Sequence, residues 1–435
     1  MEVLMRRQRR LMFGVAAAVA MGLAVSGCGT KVRGDSGGAD QTLTVWSSWA
    51  EGTSQQKVYA QAFTDFTART GIKVDVRFLG SDVWSTLKTA VPAGQGPDVL
   101  PADASRIGDY DFLEDVTPVL DAKTPEGATV REGLNANLLT ISSGADGVPR
   151  MVPDSMLSYG IWYNRATNPD LASNPPQTWQ NFLDTAQRSK ASGTPAISLD
   201  GTQARQSSRW FSWPLLRLAG PGAFRDLGAD RTGAAWDRPE TLQAAKMTRQ
   251  LVDQGLFQPG FEGSKSPAAQ NAWADNKMTF LLQGSWVPDE TGTLQAPGFQ
   301  ASYFPFPDVE NGQGNSMVQL GALGWSISKR AKNPEGAQQL LTYLQGAETQ
   351  GRLASQANSI PAQSKVPAPE GLAGFRSEAE QAQQVTITDD NAPAVGQWWD
   401  KVMTPSITDL LNKKVTPEEF VARGKEQTVQ YWKNQ

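Results

Sequence analysis

One cysteine, no histidine and 14 tryptophans decide which chemistry this chain can carry. Without histidine there is no Ser-His-Asp or Cys-His catalysis, and the commonest metal ligand is missing. The lone Cys28 follows Val25-Ser26-Gly27, a tetrad that matches the bacterial lipobox, whose cysteine becomes the lipidated first residue of the mature chain. With that thiol used as an anchor, zinc sites built on Cys and His are excluded, so no metal and no cofactor is expected. A single thiol also forms no internal disulfide. Trp, in contrast, is unusually frequent; its flat apolar faces are either core or platforms for a flat apolar ligand face, and core packing accounts for most of them.

The N-terminus explains how such a chain reaches its ligand. Arg6, Arg7, Arg9 and Arg10 precede the uncharged, apolar stretch 11–25. That stretch is too short to span a bilayer and ends in small residues, so residues 1–27 read as a signal peptide. Acyl chains on Cys28 would hold the protein at the outer face of the cell membrane, and the Gly-, Ser- and Asp-rich segment 28–41 reads as a tether. Residues 1–27 hold four of the 40 basic residues and one of the 44 acidic ones, leaving 36 against 43 and a net charge of −7. A nucleic-acid surface needs concentrated positive charge, so no nucleic-acid partner is expected. No second long apolar run follows. About 400 residues exceed one hydrophobic core, and two domains are expected.

Strand and helix patterns alternate from the start of the mature domain. Thr42 to Trp46 alternates as a first strand. Val58, Tyr59, Ala62, Phe63 and Phe66 recur at helical spacing within a helix predicted over 56–70 and closed by Gly71. A strand over 72–78, a helix over 83–90 and a short strand over 98–100 follow. This rhythm implies an α/β fold with parallel strands and right-handed crossovers. In such sheets ligands sit beyond the carboxyl ends of the strands, which are 46–51 and 101–106 here.

Short motifs in a fixed order run through nearly the whole mature chain. They are Leu43-Thr44-Val45-Trp46, Thr70-Gly71-Ile72-Lys73-Val74, Gly96-Pro97-Asp98-Val99, Gly147-Val148-Pro149 and Trp162-Tyr163-Asn164. Pro176-Gln177-Thr178-Trp179, Gly284-Ser285-Trp286, Asn333-Pro334-Glu335-Gly336-Ala337, Ile360-Pro361-Ala362 and Thr416-Pro417-Glu418-Glu419 follow. In these motifs the chain resembles the substrate-binding proteins of carbohydrate ABC importers, the class that includes maltose-binding protein. The resemblance implies a two-lobed periplasmic-binding-protein fold, each lobe a mostly parallel sheet flanked by helices, with the ligand cleft between them. It implies an N-lobe of residues 42–154 and 305–346 and a C-lobe of residues 155–304 and 347–435.

The resemblance also implies ligand contacts. Trp286, after the Gly-x-Trp turn, is expected to stack on a sugar ring. Trp399 is expected to do the same, with Trp398 chosen instead by a one-residue slip. Trp210, just before Phe-x-Trp-Pro, is the third platform, and Trp213 would be core. Ser47, Trp49 and Glu51 follow the first strand, where the family places polar contacts; its Asp-Lys pair maps onto Ala50-Glu51, which argues against maltose. Asp103 and Arg106 either bind ligand or form a surface ion pair. Asp154 would hydrogen-bond from the hinge.

The expected function is therefore capture of a disaccharide or short oligosaccharide by a monomeric lipoprotein that delivers it to a membrane-embedded ABC permease, without enzymatic activity. A secreted glycoside hydrolase would instead need two carboxylates flanking the scissile bond. A glycerol phosphate binder would need a basic, Gly-rich helix start in the cleft.

Overall fold

A computed structural model describes residues 42–387 and 395–435. The signal peptide, Cys28 and the tether lie outside the described residues. Strand β1 (Thr42–Ser47) leads into the helix Ser54–Thr70. Thr53 caps that helix by accepting from the Gln56 N–H, which starts it before the expected residue 56. Gly71 ends it in the left-handed region, φ 77°, with its N–H on the Thr67 carbonyl at 2.9 Å. Strands β2 (Lys73–Phe78) and β3 (Val99–Asp103) both pair parallel with β1. Asp98 ties this edge together, accepting from the Thr44 N–H at 2.8 Å and from Lys332 N–H at 2.5 Å.

Two long strands dominate the topology. β4 (Val152–Asn164) pairs antiparallel first with β8 (Met317–Ile327) and then, from Tyr159 onward, with β6 (Phe280–Gly284) and β7 (Ala301–Phe304). β8 continues antiparallel onto β3, so β4 and β8 cross from one lobe to the other. β5 (Ile197–Ser198) pairs parallel with β6, and β10 (Gln384–Ile387) pairs parallel with β8. Among the named strands of the described residues, each antiparallel ladder involves a crossing strand, β4 or β8.

Two hydrophobic cores form on either side of the crossing. One gathers Leu43, Val45, Phe66, Val99 and Leu340. The other gathers Phe182, Trp210, Phe224, Phe280 and Leu282. The expected lobe boundary at 346 is displaced. The helix Ala347–Ala357, expected in the C-lobe, packs on the helix Ser54–Thr70 through ion pairs Arg69–Glu348 at 2.8 Å and Arg352–Asp65 at 2.7 Å. Its Leu353 and Ala357 are buried in the first core, and β9 (Ile360–Pro361) pairs with β4 at Ser155 and Met156. An apolar helix face with matching surface charges fixes this segment to the N-lobe. Among the described residues no helix is long and apolar enough to cross a membrane.

Candidate ligand-binding cleft

Side chains alternate along a strand, so one face of the crossing strands forms a floor between the lobes. Ser155 stands opposite Leu323 and Leu157 opposite Gly321. Over Ser155, Leu157 and Leu323 lies a cavity of about 360 Å³, within the range that holds small ligands. The N-lobe contributes Trp49 from the turn after β1, and Thr53 and Gln55 from the first helix start. The C-lobe contributes Ser285 and Trp286 from the turn after β6, and Asp289 and Glu290 from the short helix Val287–Thr291 that follows. Asn358, Ser359 and Ile360 close the remaining side.

Trp286 owes its position to its neighbours. A Cβ at Gly284 would lie 2.1 Å from the Trp286 ring, so only glycine lets the indole fold back over the strand end. The ring meets Tyr159 edge-on, centroids 5.1 Å apart. Arg209 lies over the other part of this cluster, its guanidinium carbon 4.5 Å from the Tyr159 centroid and Nη2 donating to the Tyr159 hydroxyl at 2.9 Å. Tyr159 reaches further along the floor into a smaller cavity of about 220 Å³, which Trp213, Arg217 and Glu378 also line. Burial there pushes the Glu378 carboxyl up to about 7, against the hydrogen bond from the Tyr303 hydroxyl at 2.9 Å. Across the larger cavity, Gln55 Nε2 donates to Asp289 Oδ2 at 3.4 Å. Glu290 accepts from Gln270 Nε2 at 3.0 Å.

Of the residues expected to touch ligand, Trp49 and Trp286 line this cavity. The others stand elsewhere. Trp210 is 1 % exposed and stacks on Phe182 at 6.0 Å in the C-lobe core. Its helix, Arg209–Ala219, turns about 100° per residue, which directs Arg209 to Tyr159 and Trp210 into the core. Trp399 is also 1 % exposed, set edge-on to Phe224 at 5.1 Å with Nε1 donating to Ser208 Oγ at 3.2 Å. Trp398 is no alternative, since it is buried with Nε1 on Thr428 Oγ1 at 2.9 Å. Both rings are core, held between C-lobe helices.

The polar candidates are corrected too. Ser47 is buried and shapes the turn, its Oγ accepting from Trp49 N–H at 3.2 Å. Glu51 is exposed on that turn, outside the cavity. Asp103 caps the short 3₁₀ helix Ala104–Asp109 through Ser105 N–H at 2.8 Å and lies 3.8 Å from Arg106, which sits over Trp84 at 5.0 Å. That is the surface ion pair. Asp154 is buried and points into the N-lobe, where Tyr59 donates to it.

Sequence reading missed Tyr159, Arg209 and Gln55. The strand Val152–Asn164 is long for a single strand, but Asp154, Ser155 and Ser158 interrupt its apolar pattern, so the sequence carried little signal for a crossing strand with a ligand face. Among the described residues no group of His, Cys, Asp or Glu is arranged to hold a metal ion.

Known proteins share this architecture. The family model described as "Bacterial extracellular solute-binding protein" matches residues 49–351. A diacetylchitobiose binding protein of Streptomyces coelicolor is 22% identical over 361 residues, covering 78% of this chain and 76% of its own. A galactooligosaccharide-binding protein of Bacillus subtilis is 22% identical over 361 residues, covering 80% of this chain and 79% of its own. Among solved structures, the bacterial solute receptor AcbH superposes with a TM-score of 0.75 at 16% identity, covering 91% of this chain and 99% of its own. These relatives are named as binding proteins or receptors, not as enzymes. The chain belongs to the bacterial extracellular solute-binding protein family.

Proposed function

We propose that this protein is the carbohydrate receptor of an ABC-type importer, anchored outside the cytoplasmic membrane through acyl chains on Cys28. It captures a disaccharide or short oligosaccharide in the cleft and delivers it to the membrane permease. The observation that carries this reading is the cavity over the crossing strands, with Trp49 on its N-lobe wall and Trp286 on its C-lobe wall. Indole faces pack against the C–H faces of a sugar, and Gln55, Asn358, Asp289 and Glu290 supply donors and acceptors for its hydroxyls. Binding to one lobe first and gaining contacts from the other shifts the lobes toward closure, by no more than the solute's differential affinity for the two states. Relatives that bind diacetylchitobiose and galactooligosaccharides support the substrate class.

The test is a thermal-melting screen of the protein against N,N′-diacetylchitobiose, galactooligosaccharides and maltodextrins. A true ligand raises the melting temperature once its concentration exceeds Kd. No shift with any neutral saccharide would refute the carbohydrate reading, and steady release of reducing sugar would replace it with a hydrolase.

A further inference from the structure

The crossing strand β4 breaks register at one place. Pro153 pairs with Gly324 and Ser155 with Leu323, so Asp154 is the extra residue of a β-bulge, a device that re-aims one side chain. Gly324 permits it, because a Cβ there would lie 2.1 Å from the Val152 carbonyl oxygen. The bulge sends the Asp154 carboxyl into the N-lobe, where Tyr59 donates to one oxygen and Ser155 Oγ donates to the other at 3.2 Å. The Asp154 carbonyl accepts from Ala362 N–H at 2.9 Å, beside β9.

Both side-chain partners belong to the frame of the cavity. Ser155 lines it. Tyr59 lies one helical turn from Gln55, which lines the opposite wall and reaches Asp289. Tyr59 itself is clamped edge-on by Trp325 at 5.1 Å and stacked on Phe63 at 6.2 Å.

We infer that Asp154 is a positioning residue for solute binding: through Ser155 and Tyr59 it fixes the cleft floor against the helix that carries Gln55. It touches no solute, and the inference rests on the cavity being the solute site. The groups facing the carboxyl are Tyr59 from the first helix, the Trp325 indole from β8 and Ser155 from β4 itself; Tyr59 is the titratable one. Burial pushes the carboxyl up to about 7, against the hydrogen bonds from Tyr59 and Ser155. Below that pH the cluster is neutral. Above it, the carboxylate keeps the hydrogen bonds from Tyr59 and Ser155.

The experiment uses the full chain, with N,N′-diacetylchitobiose, a galactooligosaccharide and maltotetraose as probes, over a range of about pH 5.5 to 8.5 around the carboxyl's transition. The wild type is expected to bind at least one probe across this range, because the carboxyl accepts from Tyr59 and Ser155 whether protonated or ionised. Asp154→Asn keeps an acceptor for Tyr59, so its Kd should match the wild type throughout. Asp154→Ala removes the acceptor and should bind roughly tenfold more weakly at every pH. A wild-type Kd in Asp154→Ala overturns the inference. If no probe binds the wild type, the carbohydrate reading has failed, and amide hydrogen exchange decides this one. Faster exchange at 53–55 and 155–157 in Asp154→Ala than in Asp154→Asn supports it; equal exchange overturns it. Should Asp154→Ala not fold, Tyr59→Phe removes the same bond from the other side and carries the same outcomes.

Discussion

The Gln55 amide reaches the Asp289 carboxylate at 3.4 Å, joining the N-lobe's first helix to the short helix Val287–Thr291 across the mouth of the cavity. Gln55 is also held by its own lobe, donating to the Ala357 carbonyl at 3.2 Å. The pair is a contact that lobe opening must break. Gln55→Ala should therefore shorten the solute's residence time by roughly three- to tenfold while changing the association rate little. Stopped-flow tryptophan fluorescence separates the two rates, and an unchanged off-rate would remove this pair from the closing contacts.

Gly284 and Trp286 make a second prediction. Gly284→Ala places a methyl group where the indole now lies, so the ring must swing out of the cavity wall. The loss of affinity should approach that of Trp286→Ala, about tenfold or more for one stacked aromatic face. The two substitutions combined should cost no more than either alone, since both remove one platform. Isothermal titration of the single and double variants checks this, and additive losses would mean that Gly284 acts on something else.

Trp399 separates packing from binding. Its ring fills the C-lobe core beside Phe224, and Arg205 covers its outer face at 5.0 Å. Trp399→Ala should cost about 3–5 kcal/mol of stability, the usual result of emptying a large buried aromatic site. Urea unfolding measures that loss, and titration of the remaining folded protein should give a nearly unchanged Kd. A large change in Kd with little loss of stability would restore Trp399 to the cleft.

Asp154 also sets part of the pH dependence of stability. Its folded carboxyl holds its proton to about 7, while an unfolded aspartate releases it near 4. Between those values the folded state binds the extra proton, so this group's contribution to stability falls as pH rises. The slope is up to about 1.4 kcal/mol per pH unit, and it vanishes above neutrality. Chemical denaturation of the wild type and Asp154→Asn across that window should give a difference with this sign. A wild-type advantage over Asp154→Asn that grows as pH rises through that window would contradict the buried, protonated carboxyl.

Much of the frame was legible in the sequence, because local rules specify it. Alternation set β1, helical spacing set the buried face Val58–Tyr59–Ala62–Phe63–Phe66, and Gly71 marked the helix end through its left-handed conformation. The turn after β1 was visible from the same rules and the Gly-x-Trp turn from the family resemblance, and both supply a cavity wall. The helical aromatics were not legible. Trp210 and Arg209 differ by one position, and that position decides whether a side chain meets the core or the cleft. Asp154 shows the same limit in a strand, where one bulged residue turns an expected ligand contact into an internal one. Residue type alone does not carry that phase; the long-range pairings of β4 and β8 do.

The central claim is that a neutral oligosaccharide binds between Trp49 and Trp286. Its most direct test is isothermal titration of the wild type, Trp49→Ala and Trp286→Ala with N,N′-diacetylchitobiose, galactooligosaccharides and maltotetraose. The wild type should bind at least one of these, both variants should weaken that binding by about tenfold or more, and neither should shift the unfolding midpoint comparably. Undiminished binding by both variants, or no binding of any saccharide to the wild type, would contradict it.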